Sequence, residues 1–254
     1  MKNDISHITQ EHFDGWLNTL FGYQLRCREA KNDPALPRTR NILKSRQIGM
    51  TYYFSGEALE DAVLTGDNQI FLAETQEMAD VYRSYVCFIA KNYLGVNLTD
   101  SNPIVLSNGA ELHFLSLDMH TFAGRFGHVY VDEYFWSEDC EKILSLARSI
   151  AMHKRWRKTY FSTVSERRGT ARLFWSGETW RQMNLTHRLR SDFPGNDELR
   201  DGGRIGPDKQ WRYVITIEDA IRLGCDLIDI DELKDEYPKD VFERLFMCNL
   251  YSQE

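Results

Sequence analysis

The sequence predicts an α/β fold, a largely parallel sheet covered on both faces by helices. Short apolar runs at residues 41–44, 69–73, 128–131 and 158–161 alternate with helical patterns of ten or more residues. That alternation is the rhythm of strand–helix–strand crossovers. Two of the runs end in special chemistry: the first leads into a turn around Gly49, and the third into Asp132 and Glu133. No apolar run approaches the roughly 18 residues that would suggest a membrane span.

Taken in order, residues 5–30 look helical, and the segment 32–40 (NDPALPRTR) breaks the pattern with two prolines. Residues 41–44 (NILK) form a short strand. From 51 to 64, Phe54, Ala58, Leu59 and Ala62 recur at helical spacing. Residues 69–73 (QIFLA) are a second strand, followed by a helix through Met78, Val81, Tyr82, Tyr85 and Ile89. Residues 104–106 and 112–115 flank Ser107-Asn108-Gly109, a hairpin signal. A strand at 128–131, a helix through Ile143, Leu146 and Ile150, and a strand at 158–161 complete the main body. The Gly- and Pro-rich stretch 194–207 (PGNDELRDGGRIGP) reads as a linker, with a strand at 211–217 and a helix start at 217–223 beyond it. This divides the chain into a main domain, 1–195, and a small lobe, 205–254.

Composition narrows the class. The 254 residues are 42% hydrophobic and 27% charged, which suits a globular protein with a sizeable core. The opening MKNDISHITQ lacks the basic-then-apolar pattern of a secretory signal, so a cytosolic protein is expected. The five cysteines are scattered and odd in number, without the close pairs of a zinc site, and are expected to be buried thiols. The net charge of −7 is unevenly spread. Residues 148–190 carry eleven basic side chains, Arg188 and Arg190 among them, against only Glu166 and Glu178. Residues 218–243 are dominated by Asp and Glu. Such polarity fits either a cationic face turned toward phosphates or two solvated surfaces of opposite sign.

The chemistry begins at 44–51, KSRQIGMT, between a strand and a helix. A phosphate-binding loop needs that setting, because backbone N–H groups and a helix N-terminus must converge on an anion. Against the usual GxxxxGK[ST], Gly49 and Thr51 occupy the second glycine and the magnesium-binding hydroxyl. Lys44 stands at the first glycine, and Met50 stands where the lysine should be. Met50 cannot neutralise a phosphate, which leaves Lys44 and Arg46 as the nearby cations. Alone, this segment is equally a strand–turn–helix corner with a useful glycine.

Support comes about 80 residues later from HVYVDE at 128–133, an apolar strand that ends in two carboxylates. Asp132 is placed to hold Mg²⁺ through water, and Glu133 to take a proton from an attacking water. The next strand ends in Phe161-Ser162-Thr163, whose hydroxyls either approach a γ-phosphate or simply form a turn.

Together, KSRQIGMT, VYVDEYFW at 129–136 and FST at 161–163 resemble the three ATPase motifs of bacteriophage terminase large subunits, in particular the gpP-like terminase ATPase subunits. FWSGE at 174–178 and GCDLIDID at 224–231 extend the resemblance from about residue 20 to the C-terminus. It implies a RecA-like P-loop ATPase core with a small linker lobe. It also implies an ATP site at Gln24, Lys44, Ser45, Arg46, Gln47, Ile48, Gly49, Met50 and Thr51, with Mg²⁺ on Thr51 and Asp132. Lys44 at the start of the loop matches the family's deviant lysine. Arg46 aligns with a residue proposed to contact the γ-phosphate, Gln24 resembles the adenine-reading glutamine, and Thr163 the motif that couples hydrolysis to movement. The implied function is ATP-driven translocation of double-stranded DNA into procapsids in the host cytoplasm. The implied partners are a homo-oligomeric ring, a small terminase subunit and the portal protein, with no membrane. In such a ring a neighbouring subunit would contribute an arginine, with Arg125, Arg167 and Arg168 as candidates. Family members carry a C-terminal nuclease domain, and the chain ends at Glu254 before one, so no DNA cleavage is expected from it. Two rival functions remain at this level. Met50 fits a non-catalytic nucleotide-binding assembly module, and another P-loop nucleic-acid translocase would need a second RecA-like lobe.

Overall fold

The computed structural model describes residues 3–117, 124–183 and 191–250. The chain begins with a 3₁₀ turn (Gln10–Phe13), α1 (Asp14–Leu17) and α2 (Gly22–Asn32), then β1 (Thr39–Lys44) and α3 (Met50–Thr65). Next come β2 (Gln69–Ala73), α4 (Gln76–Tyr93), β3 (Ile104–Val105), β4 (Glu111–Ser116) and β5 (His128–Asp132). α5 (Cys140–Ile150), β6 (Lys158–Ser162), α6 (Thr170–Trp175), α7 (Glu178–Gln182) and α8 (Asn196–Arg200) follow. The chain closes with β7 (Arg204–Ile205), β8 (Trp211–Ile215), α9 (Ile217–Arg222), α10 (Ile230–Glu236) and α11 (Lys239–Leu245). It divides into two compact units.

The first unit comprises Met1–Leu20, Gly49–Asp132 and Ser145–Lys158. Its strands run in the order β3-β4-β2-β5. β2 pairs in parallel with both β4 and β5, and every residue of β2 is buried, as expected for a strand covered on both faces. β3 and β4 form the antiparallel hairpin that Asn108-Gly109 signalled. The expected single helix over 5–30 is interrupted: residues 10–17 form two short turns, and α2 starts afresh at Gly22. Trp16, fully buried, lies on the edge of α3 at Gly56, where an added Cβ would sit 2.2 Å from its indole. Gly56→Ala is therefore expected to destabilise by about 2 kcal/mol through overpacking. That outweighs the roughly 1 kcal/mol by which alanine favours a helix over glycine. A drop in the urea midpoint at unchanged m-value would show it, and a rise would disprove it.

At the opposite end of β5 from its carboxylate, His128 is buried in a knot of charges. The backbone N–H of Arg157 donates to Nδ1 at 2.9 Å, so the ring proton is on Nε2, 3.3 Å from Asp67. Asp61 lies 3.6 Å away, while Arg155 pairs with Asp67 and Arg157 with Asp61. Burial first, and then the Arg157 charge, push the imidazole down from 6.5 to about 4. Between those two values the unfolded chain binds a proton that the folded chain refuses. This contribution is complete above pH 6.5 and is lost as pH falls toward 4. Its slope approaches about 1.4 kcal/mol per pH unit. Unfolding free energies across that range should flatten in His128→Gln, and an unchanged slope would count against this account.

The second unit comprises Phe21–Ile48, Glu133–Leu144 and Thr159–Glu254. Its strands run β6-β1-β8-β7. β8 pairs in parallel with β1, with Lys44 opposite Ile215, and β7 pairs antiparallel with β8. The residues expected as a separate small lobe, 205–254, thus share a unit with β1. The expected linker 194–207 is packed, because one apolar side chain and one arginine anchor it. Leu199 is buried, and Arg200 Nε donates to buried Asp219 of α9 at 2.8 Å. Its Gly- and Pro-rich composition hid those two anchors.

Candidate active site

In the second unit, β1 delivers Lys44 to its C-terminal end, and the loop that follows is pinned from three sides. Ser45 N–H donates to the Ile215 carbonyl of β8 at 2.7 Å, and Arg46 N–H to the Leu245 carbonyl at the end of α11 at 3.1 Å. The Tyr23 hydroxyl of α2 donates to the Ile48 carbonyl at 2.6 Å. Ser45 and Ile48 are buried, whereas Arg46 and Gln47 are exposed. Gln47 adopts the left-handed region, with φ 60°. This is a turn that a non-glycine residue enters at a cost and that recurs at functional sites. Gln24 lies just upstream, 2% exposed, and its amide oxygen accepts from Phe21 N–H at 2.9 Å. That bond caps the first turn of α2.

Lys44 ends on Glu133. Its Nζ donates to Oε1 at 2.6 Å. The other carboxylate oxygen, Oε2, accepts from the Thr163 backbone N–H at 2.7 Å, the Thr163 hydroxyl at 2.8 Å and the Ser162 hydroxyl at 3.1 Å. Glu133 itself has φ 47°, and its N–H donates to the Phe161 carbonyl at 2.9 Å, which ties the segment to β6. Burial alone would push this carboxyl up. The Lys44 ammonium and the Thr163 donors outweigh that and hold it below the usual carboxylate range. An ionised carboxylate held in one orientation by fixed donors is chemically what a positioned base requires.

In the first unit, Gly49 has φ 70° and opens α3, a left-handed entry that its missing Cβ permits. Met50 is 2% exposed and packs inward, so it presents no charge. Thr51 sits in the first turn of α3, and Asp132 is the last residue of β5, 9% exposed. Both carry the hard oxygen donors that suit a magnesium ion.

The sequence-predicted residues Lys44, Glu133 and Thr163 are therefore in direct contact. Arg46 and Thr163 both reach Trp136, which the sequence offered only as the end of a motif, and Tyr23 was missed altogether. A lone aromatic after an acid pair or at a helix start gives no signal of its own. Of the candidate arginines, Arg125 lies beside His113 in the first unit, and Arg167 pairs with Glu138 at 3.3 Å in the second. Arg168 lines a cleft of about 330 Å³ with Ser137 and Thr170, also in the second unit.

The basic stretch is less open than its composition suggested. Arg155 and Arg157 are held by aspartates, and Arg172 donates to the Ser165 and Leu250 carbonyls. Arg181 pairs with Glu178. Arg148 and Lys154 are exposed, and Arg188 and Arg190 lie outside the described residues. The stretch is also divided, with 148–158 in the first unit and the remainder in the second.

A strand running into a glycine-entered helix, a strand closing on Asp132 and a strand closing on Ser162 belong to an α/β fold with a mostly parallel sheet covered by helices. The chain belongs to the terminase large subunit family, T4likevirus-type, N-terminal region, which matches residues 41–254. It is 51% identical over 249 residues to the probable terminase, ATPase subunit, of Haemophilus phage HP1, covering 98% of this chain and 40% of that protein. The chain thus spans well under half the length of that relative. The large terminase ATPase domain of Thermus phage P74-26 shares the fold, with TM-score 0.58 at 15% identity, covering 95% of this chain and 98% of that one. A large terminase from a thermophilic bacteriophage, solved in complex with ADP, matches with TM-score 0.59 at 11% identity, over 91% of this chain and 54% of that one.

Proposed function

We propose that this chain is the ATP-hydrolysing motor domain of a viral DNA-packaging terminase, using hydrolysis to drive double-stranded DNA into a procapsid. The observation that carries the reading is the Glu133 carboxylate. It is oriented on one side by the loop cation Lys44 and on the other by Thr163 and Ser162. A phosphate-loop cation and a strand-end base in contact are what phosphoryl transfer to water asks of a protein, since positioning and charge stabilisation supply most of the catalysis.

In this reading, the N–H groups of residues 45–51 cradle the ATP phosphates, and Gln24 lies toward the base. Lys44 and Arg46 stabilise the charge that develops on the transferring phosphoryl group, and Glu133 Oε accepts the proton of the attacking water. Thr163 holds Glu133 and links it to β6. Thr51 and Asp132 would hold Mg²⁺. The donor set fits, because this ion keeps most of its waters and takes one or two protein oxygens rather than a carboxylate cage. Among the described residues, no group of three or more His, Cys, Asp or Glu could hold a metal. When bound, the ion neutralises phosphate charge. The ADP-bound terminase of the thermophilic phage and the phage HP1 relative named as an ATPase subunit support the choice of ATP.

The finer parts of the proposal are a homo-oligomeric ring, an arginine contributed by a neighbouring subunit, association with a small terminase subunit and the portal, and action in the host cytoplasm. Exposed basic side chains such as Arg148 and Lys154 would meet the DNA backbone without reading its sequence, so binding should weaken steeply with salt. The test is ATP turnover by the protein alone and with double-stranded DNA. Hydrolysis that DNA stimulates supports the motor. Nucleotide binding with no turnover in either condition would replace it with a passive assembly module.

A further inference from the structure

Trp136 lies three residues beyond Glu133, half-buried, with its backbone N–H donating to the Glu133 carbonyl at 2.8 Å. Its side chain meets both halves of the loop-and-base arrangement. The indole Nε1–H donates to the Thr163 hydroxyl at 2.7 Å, and that hydroxyl donates onward to Glu133 at 2.8 Å. The ring face carries the Arg46 guanidinium, whose Cζ is 4.9 Å from the ring centroid.

Each contact removes a specific freedom. A threonine hydroxyl has one proton and two lone pairs, and its rotor turns to suit its neighbours. An indole N–H can only donate, so its bond occupies a lone pair of Thr163 Oγ1 and leaves the hydroxyl proton for Glu133. Arg46 is exposed on its loop, and a long cationic side chain there samples many rotamers unless something holds it. An aromatic face supplies a hold of the modest strength that leaves a guanidinium available to an anion.

We propose that Trp136 is a positioning residue for ATP hydrolysis, setting the Thr163 hydroxyl against Glu133 with its N–H and holding Arg46 of the phosphate loop on its ring. This rests on the ATPase reading above, and the two roles can be separated. Trp136→Phe keeps the face and removes the donor, while Trp136→Leu removes both.

Steady-state kinetics with DNA should show Trp136→Phe with kcat lowered about fivefold at an unchanged KM for ATP, the loss of one hydrogen bond. Trp136→Leu should lower kcat similarly and also raise KM about threefold, the loss of the cation–π hold. A second measurement needs no turnover. In isotope-labelled protein, the Trp136 indole N–H resonance, identified by its disappearance in Trp136→Phe, should exchange with solvent about tenfold faster in Thr163→Val. The same resonance should shift in Arg46→Ala. The proposal is overturned if both Trp136 variants stay within about twofold of wild type in kcat and KM. It is equally overturned if the indole signal ignores both Thr163→Val and Arg46→Ala. Wild-type protein that never turns over ATP would overturn the ATPase reading instead, and indole exchange would still decide whether Trp136 links Thr163 to Arg46.

Discussion

Glu133→Gln is expected to lower ATP turnover by about a thousandfold, the scale of a lost general base, with nucleotide affinity near the wild-type value. The substitution is close to isosteric, and the amide oxygen can still accept from Lys44 or from Thr163. It cannot accept the proton of water, so the chemical step loses its acceptor while the phosphate loop stays intact. The amide NH₂ must then face either the Lys44 ammonium or the Thr163 donors, and a donor set against donors costs about 1–3 kcal/mol of stability. Three measurements separate these effects: turnover under saturating ATP, a binding isotherm for the nucleotide, and an unfolding curve. Equal turnover in mutant and wild type would remove Glu133 from catalysis. Lost binding would instead mean that the substitution had collapsed the loop.

Lys44→Ala is expected to reduce kcat/KM by about a hundredfold or more, the cost of removing one preorganised charge from a phosphoryl-transfer site. The loss has two parts. The loop no longer carries a cation at its start, and Glu133 keeps only its hydroxyl and backbone donors from Thr163 and Ser162. Lys44→Arg should recover part of the rate, since it restores the charge with a bulkier head. Met50→Leu should change the rate little, because Met50 is 2% exposed and serves packing. Retained activity in Lys44→Ala, or a large loss in Met50→Leu, would show that the missing lysine is replaced by some other route.

Much of this was legible from residue pattern. β2 is apolar from Ile70 to Ala73, and such runs fall where a strand is covered on both faces, so the strand was found with its ends in place. The hairpin followed from Asn108-Gly109, because that pair suits the tight turn. The acid pair after β5 and the loop glycine were picked out because such chemistry needs those residues at the end of a strand, and Asp132 does end β5 and Gly49 does open α3. Other features left no periodic trace. The break after residue 17 has no proline to mark it, and α2 restarts with a cap made by Gln24, whose amide closes the first turn locally. Residues 194–207 look like a linker because the anchoring comes from Leu199 and from Arg200 meeting Asp219, a partner 19 positions away. The cation of the site was narrowed to Lys44 or Arg46 by elimination. Only geometry put Lys44 on Glu133 and Arg46 on an indole.

The pairing of β8 with β1 bears on where this polypeptide is divided in the laboratory. A truncation placed in the glycine-rich tract after residue 195 looks safe by composition, yet it would strip β1 of its neighbour along five aligned residues. The exposed edge would invite aggregation. The Ser45 amide would also lose the Ile215 carbonyl that fixes the start of the loop after β1. An inactive shortened protein made that way would report a torn sheet and say nothing about the proposed chemistry.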